Sequence, residues 1–313
     1  TINAIYNRAL TRWLARHVQE GDILASASFL KLFGHLQDKL KPDGHSWVYE
    51  VHQLAMAEDG GDPRMAALEQ SVLKRCGHLV TTTDMLAGHL EEAFPESAVH
   101  NLGLACGFDA GKMPAPPEDT GMSPLRLAYA GSVYREQGVE WLIECWPRLM
   151  PRLSRRVVLS IAGGTKSQSA ALLQKVKALQ LEAVIEICGA VPPARLGAWL
   201  EDKDALIIPA LAEGRMPLVA FTKAYDYMGL RRAVLASDLP PVAEVLPDGE
   251  RAVHFAAGDV ASLARALNNL TGDSALRYRL AANCAEASAR YSWEARARKW
   301  WGCVLADAPG NNA

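Results

Sequence analysis

Glu213-Gly214-Arg215-Met216-Pro217, then Lys223-Ala224-Tyr225-Asp226-Tyr227-Met228-Gly229, then Ala233-Val234-Leu235-Ala236-Ser237-Asp238-Leu239-Pro240-Pro241 and Glu244-Val245-Leu246 decide how this chain folds. The order reads loop, helix, strand, loop. Pro217 suits a first helical turn, where its missing N–H is not needed, so a helix is predicted from there. Leu218, Phe221, Tyr225 and Met228 recur at helical spacing and give one apolar face. Lys223 and Asp226 lie off that stripe, three apart, close enough to be neighbours. Gly229 reads as the helix stop. Ala233 to Ala236 is a short apolar run of the buried parallel-strand type. Ser237 to Pro241 is the loop that follows, and in open α/β sheets ligands collect at the carboxyl ends of strands.

The same alternation extends in both directions. Toward the amino terminus, helices are predicted over 2–18, 29–40 and 64–75. Strands are predicted over 22–28, 47–51, 78–83 and 99–106, with His52 at the end of the second and Asp84 as a helix cap. Pro114, Pro116, Pro117, Gly121 and Pro124 mark a linker. Beyond it, strands 125–132, 157–164, 184–189 and 205–209 alternate with helices 139–149, 169–179 and 193–200. Helices 259–270, 276–289 and 293–305 close the chain. Alternating strand and helix argues a parallel, doubly wound sheet in each half.

A chain of 313 residues has room for two domains. Half its residues are hydrophobic and 22% are charged, as in ordinary globular proteins. The net charge of −2 gives no reason to invoke nucleic acid. Up to residue 120 there are 10 Lys and Arg against 16 Asp and Glu; beyond it, 23 against 19. The six cysteines form no Cys-x-x-Cys pair and sit mostly in apolar surroundings, which reads as reduced thiols of a cytoplasmic protein. No run of 18 apolar residues predicts a membrane span, and His45, His78, His89 and His254 show no metal-ligand spacing.

The organising stretch resembles the donor-binding signature of family 4 glycosyltransferases, retaining enzymes of the GT-B fold. The resemblance rests on Lys223, Asp226-Tyr227-Met228, Ala233 to Asp238 and Glu244-Val245. It extends more weakly to Tyr49-Glu50-Val51-His52, to Thr81-Thr82-Thr83 and to Gly107-Phe108-Asp109. It implies two Rossmann-like parallel-sheet domains, one over 1–115 on the acceptor side and one over 116–313 that binds nucleotide sugar. The last helix would cross back to the first domain. The family's glycine-rich first loop has no counterpart before Asp22, because Gly60-Gly61 sits among acids; the amino-terminal domain is therefore expected to be incomplete.

What the resemblance implies for function is transfer of a sugar, of hexosyl type, from a nucleotide diphosphate sugar with retention. The acceptor would be a sugar, a lipid-linked group or a small molecule in polysaccharide or glycoconjugate synthesis. No metal or other cofactor is implied. His52 and Glu213 take the catalytic positions. Gly131, Ser132, Gly164, Arg215, Lys223 and Asp226 take the donor-binding ones, with Asp226 accepting from the ribose. The chain departs from the family at Ser132 and Gln137, where Arg and Lys usually grip the diphosphate, and in the spacing of Glu213 from Asp226. Those departures leave two other readings open, a non-catalytic homologue that binds or scaffolds and a sugar-nucleotide epimerase.

Overall fold

The computed structural model describes residues 2–27, 29–40, 45–54, 62–214 and 216–305. Arg215 and the Gly60-Gly61 pair lie outside them. The chain divides into two compact units. One comprises Thr1–Gly103, Leu218–Ala220 and Arg296–Ala313; the other comprises Leu104–Pro217 and Phe221–Ala295.

The first unit is built in the order α1 (Ile2–His17), β1 (Ile23–Ser26), α2 (Leu30–Lys39), β2 (Ser46–Val51), α3 (Pro63–Leu73), β3 (His78–Thr81), α4 (Asp84–Ala93) and β4 (Ala98–Asn101). Its four strands are parallel and lie in the order β1-β2-β3-β4. Side chains alternate across a strand, so β2 divides its residues between two faces. Trp47, Tyr49 and Val51 join Phe33, Leu73 and Leu79 in the core under α2, α3 and α4. Val48 and Val80 face the other way. They pack with Leu102 and with Trp300, Cys303 and Val304 of the last helix, α12 (Trp293–Leu305). Glu50 shares that second face.

The second unit continues with β5 (Leu125–Ala130), α5 (Val139–Leu149), β6 (Val157–Ala162), α6 (Lys166–Ala178), β7 (Ile185–Gly189), α7 (Pro193–Trp199), β8 (Ala205–Ile208), α8 (Thr222–Gly229), β9 (Ala233–Ser237), α9 (Pro240–Ala243), β10 (Ala252–Phe255), α10 (Val260–Gly272) and α11 (Ser274–Ser288). Its six parallel strands are ordered β10-β9-β8-β5-β6-β7. The strand order reverses beside β5, which makes the carboxyl ends there a topological switch point. Central strands read as continuous apolar runs because helices cover both faces; Ala205, Leu206, Ile207 and Ile208 are all fully buried.

The parallel-sheet α/β class expected of both halves is what the chain adopts. Four local expectations are corrected. The helix expected from Pro217 begins at Thr222, because the carbonyl of Leu218 is taken by the Thr83 hydroxyl at 3.1 Å and Phe221 is extended (φ −90°, ψ 101°). Thr83, not Asp84, caps α4; its Oγ1 accepts from Leu86 N. The fourth strand stops at Asn101, and Cys106 N instead donates to Tyr291 O. The four residues of β10, too short to register as a periodic run, add an edge strand beside β9.

The proline-rich linker is held by buried charge. Asp119, 8% exposed, accepts from both terminal nitrogens of Arg155 at 2.8 and 2.9 Å and from Arg277 of α11. Arg232, fully buried, donates to the carbonyls of Pro114, Leu200 and Lys203. Removing one partner of such a pair strands the other charge. Asp119→Ala is therefore expected to lower unfolding free energy by about 3–5 kcal/mol in urea titration. Hydrogen bonds from Arg155, opposed by burial and aided by Gly121 N–H and the Arg277 charge, hold the Asp119 carboxyl well below its usual range. Its stabilisation is complete above the unfolded value of about 4 and is lost as pH falls through the lower folded value, so acid should destabilise the parent more than Asp119→Asn.

Candidate active site

In the second unit a cavity of about 270 Å³ opens at the carboxyl ends of β5, β6 and β7. Its floor is made by two strand-end turns. Gly131 follows β5 with φ +152° and donates its N–H to Ala162 O at 2.9 Å. Gly163 follows β6 with φ +136° and donates to Gly189 O at 2.7 Å. The turns stack so closely that a Cβ on Gly163 would lie 1.7 Å from Gly131 O. Glycine is required there both for the left-handed backbone and for the approach. Among the described residues the N–H groups of Ser132 and Gly164, each one residue further on, have no hydrogen-bond partner. Two unpaired amides at adjacent strand ends can receive an anion.

One wall is α8. Tyr227 is buried, and its hydroxyl donates to Ala130 O at 3.0 Å and accepts from Ala130 N at 2.9 Å. This fixes the end of β5 to the helix. Lys223, one turn earlier, lies over the Tyr129 ring, with Nζ 5.3 Å from the centroid, a cation–π geometry. Burial pulls the Lys223 ammonium down to about 8, although the Asp226 carboxylate favours its charged form. Asp226 accepts from Gly107 N at 2.9 Å. Burial pushes its carboxyl up, outweighing that hydrogen bond and the Lys223 charge. The pair thus combines a weakly neutralised cation with a carboxylate that retains acceptor capacity, both lining one cavity. The opposite wall is apolar: Val191, Pro193 and Leu196.

Gly131, Ser132, Gly164, Lys223 and Asp226, all predicted as donor-binding residues, line this one cavity. Arg215 lies outside the described residues. Glu213 pairs with Arg135 at 3.2 Å on an exposed stretch and does not line the cavity. His52 belongs to the first unit, where its Nε2 lies 3.0 Å from Glu50 Oε1. Tyr227, Gly163 and Gly107 carry no assigned role in the sequence reading. A tyrosine hydroxyl on a helix otherwise predicted to pack could have signalled Tyr227, since a buried one needs a partner. Gln137 lies in the 3₁₀ turn before Gly138; its Oε1 is buried without a partner among the described residues.

Residues 124–273 match the family model described as Glycosyl transferases group 1. A glycogen synthase of Mycobacterium tuberculosis is 27% identical over 215 residues, 69% of this chain and 50% of that protein. A phosphatidyl-myo-inositol mannosyltransferase of Mycobacterium leprae is 29% identical over 161 residues, 50% of this chain and 40% of that protein. The chain spans about half the length of the curated relatives it matches. A sucrose-phosphate synthase from Thermosynechococcus elongatus superposes with a TM-score of 0.77 at 16% identity, covering 96% of this chain and 77% of that one. Anabaena HepE in complex with UDP gives 0.74 at 14% identity, with 96% and 82% covered.

The fold is GT-B. The segment matched by the Glycosyl transferases group 1 model contains most of the cavity lining, from Ala130 to Leu230. Among the described residues no three His, Cys, Asp or Glu side chains group as metal ligands, and no helix is long and apolar enough to cross a membrane.

Gly163→Ala tests the floor of the cavity. Its Cβ must displace Gly131, so unfolding free energy should fall by at least about 1–3 kcal/mol in urea titration. Gly302→Ala in α12, whose Cβ would meet nothing within 4 Å, should not lower it.

Proposed function

We propose that the protein is a retaining glycosyltransferase that takes its sugar from a nucleotide diphosphate sugar, without a resident cofactor. The observation that carries this reading is the cavity at the carboxyl ends of β5 to β7, where the free amides of Ser132 and Gly164, the Lys223 ammonium and the Asp226 carboxylate converge. In this reading the diphosphate lies against the amides and Lys223, which gains the counter-charge that burial withholds. The ribose hydroxyls donate to Asp226. The base lies against Val191, Pro193 and Leu196. Catalysis consists mainly of positioning and of stabilising the departing diphosphate. His52 and Glu213 are the proposed catalytic residues, and Arg215 supplies a further fork for phosphate. The acceptor is a sugar, lipid-linked group or small molecule. The described cysteines are all unpaired, in keeping with a cytoplasmic setting.

A second reading, nucleotide binding without transfer, is favoured by one observation. Among the described residues lining the cavity, Lys223 is the sole cation; the positions where the family resemblance implies Arg and Lys hold Ser132, which is exposed, and Gln137, which is half-buried. Release of free sugar from a panel of nucleotide sugars separates the two readings: turnover supports the enzyme, and tight binding without turnover supports the binding protein.

Calorimetric titration with UDP, GDP and ADP tests the shared premise. At least one diphosphate should bind, and Asp226→Asn should weaken it about 10- to 100-fold, as expected for loss of a charged hydrogen bond. Lys223→Ala should weaken diphosphate more than nucleoside. Because the protonated lysine is the attractive form and its value is about 8, diphosphate affinity should fall as pH rises through 8, and Lys223→Met should remove that dependence. Failure of all three nucleotides to bind would overturn the premise.

A further inference from the structure

His52, Glu50 and Arg296 form a chain within the first unit. Arg296 of α12 donates its Nη2–H to Glu50 Oε1 at 2.7 Å and its Nε–H to Gly103 O at 2.9 Å. Glu50 and Arg296 are 15% and 12% exposed, so this is a nearly buried ion pair. The same Oε1 lies 3.0 Å from His52 Nε2. His52 itself is 45% exposed, and among the described residues its Nδ1 has no hydrogen-bond partner. An ionised carboxylate only accepts, so the ring places a proton on Nε2, and in the neutral ring Nδ1 is then the acceptor. Burial favours the protonated Glu50 carboxyl, but the His52 hydrogen bond and the Arg296 charge outweigh it and hold Glu50 below its ordinary value, hence ionised.

We infer that Glu50 and Arg296 are positioning residues that lock His52 in one orientation and, in its neutral form, one tautomer, with Nε2–H on the Glu50 carboxylate and Nδ1 left to accept a hydrogen bond. The inference rests on the proposed sugar transfer for its effect on turnover, but not for the tautomer. Strand alternation explains the first half of the arrangement: Glu50 points to the same side of β2 as Val48, the side that α12 covers, and His52 follows directly after the strand.

A double-mutant cycle on sugar release tests it. Glu50→Gln should lower kcat about tenfold in the parent and have almost no further effect in a His52→Ala background. Glu50→Asp, which keeps the charge beside Arg296, should recover part of the loss. An equal loss in both backgrounds would overturn the positioning role, because a merely structural defect does not depend on His52. Ring nitrogen NMR of the full chain reads the tautomer directly and does not need activity. The parent should carry its proton on Nε2 with a preference about tenfold greater than Glu50→Gln. A neutral His52 protonated on Nδ1, or a preference unchanged in Glu50→Gln, overturns the inference even in a protein that turns nothing over. If the parent releases no sugar but shows the Nε2 tautomer lost in Glu50→Gln, the lock stands and the transferase reading falls.

Discussion

Gly163 and Gly131 approach so closely that no side chain fits between them, and the candidate donor site depends on that approach. It brings the ends of β5 and β6 together and leaves the amides that follow, on Ser132 and Gly164, directed away from the sheet ladder. Tyr227 fixes the same end of β5 from the other side through both backbone groups of Ala130. A glycine pair and one tyrosine hydroxyl thus set the positions of Lys223 and Asp226, because α8 is registered by Tyr227. Gly229 lets α8 reach the 106–108 loop, since a Cβ there would lie 2.4 Å from Phe108 O. That contact in turn places Gly107 N against Asp226.

The electrostatics of this cavity differ from those of the linker. Asp119 with Arg155 and Arg277 is a closed network, in which one carboxylate joins two guanidinium groups whose other donors reach the carbonyls of Ser123, Thr271 and Leu270, and its role is to hold residues 113–124 on the second unit. Lys223 and Asp226 are not closed in this way. Burial disfavours charge on both, and neither is fully compensated by the other. Perturbed groups that line a cavity are candidates for function, whereas equally perturbed groups in a closed network are structural. An incoming polyanion that also carries hydroxyls would satisfy both members of the pair at once.

Much of this was legible in the sequence because the signals were local and redundant. The helix and strand around Tyr225 to Ala236 are marked by apolar spacing, by Gly229 and by the Ala233 to Ala236 run. Lys223 and Asp226 stand out by lying off the apolar stripe. Gly131 and Gly164 could be singled out as strand-end turns, but their stacking could not, because it depends on which strands become neighbours. The start of α8 was misread at Pro217 since a local propensity was overruled by a distant hydroxyl, that of Thr83. Glu213 is legible as an acid of its loop, but its pairing with Arg135, 78 residues away, is not. The His52–Glu50–Arg296 chain joins residues separated by more than half the sequence, and no periodicity announces it.

Hydrogen exchange of the backbone amides, with and without a nucleoside diphosphate, tests the central claim most directly. UDP, GDP or ADP, whichever binds, should slow exchange in residues 131–133 and 163–165, and Lys223→Met should weaken that protection. A diphosphate that binds while leaving both segments unprotected would contradict the account.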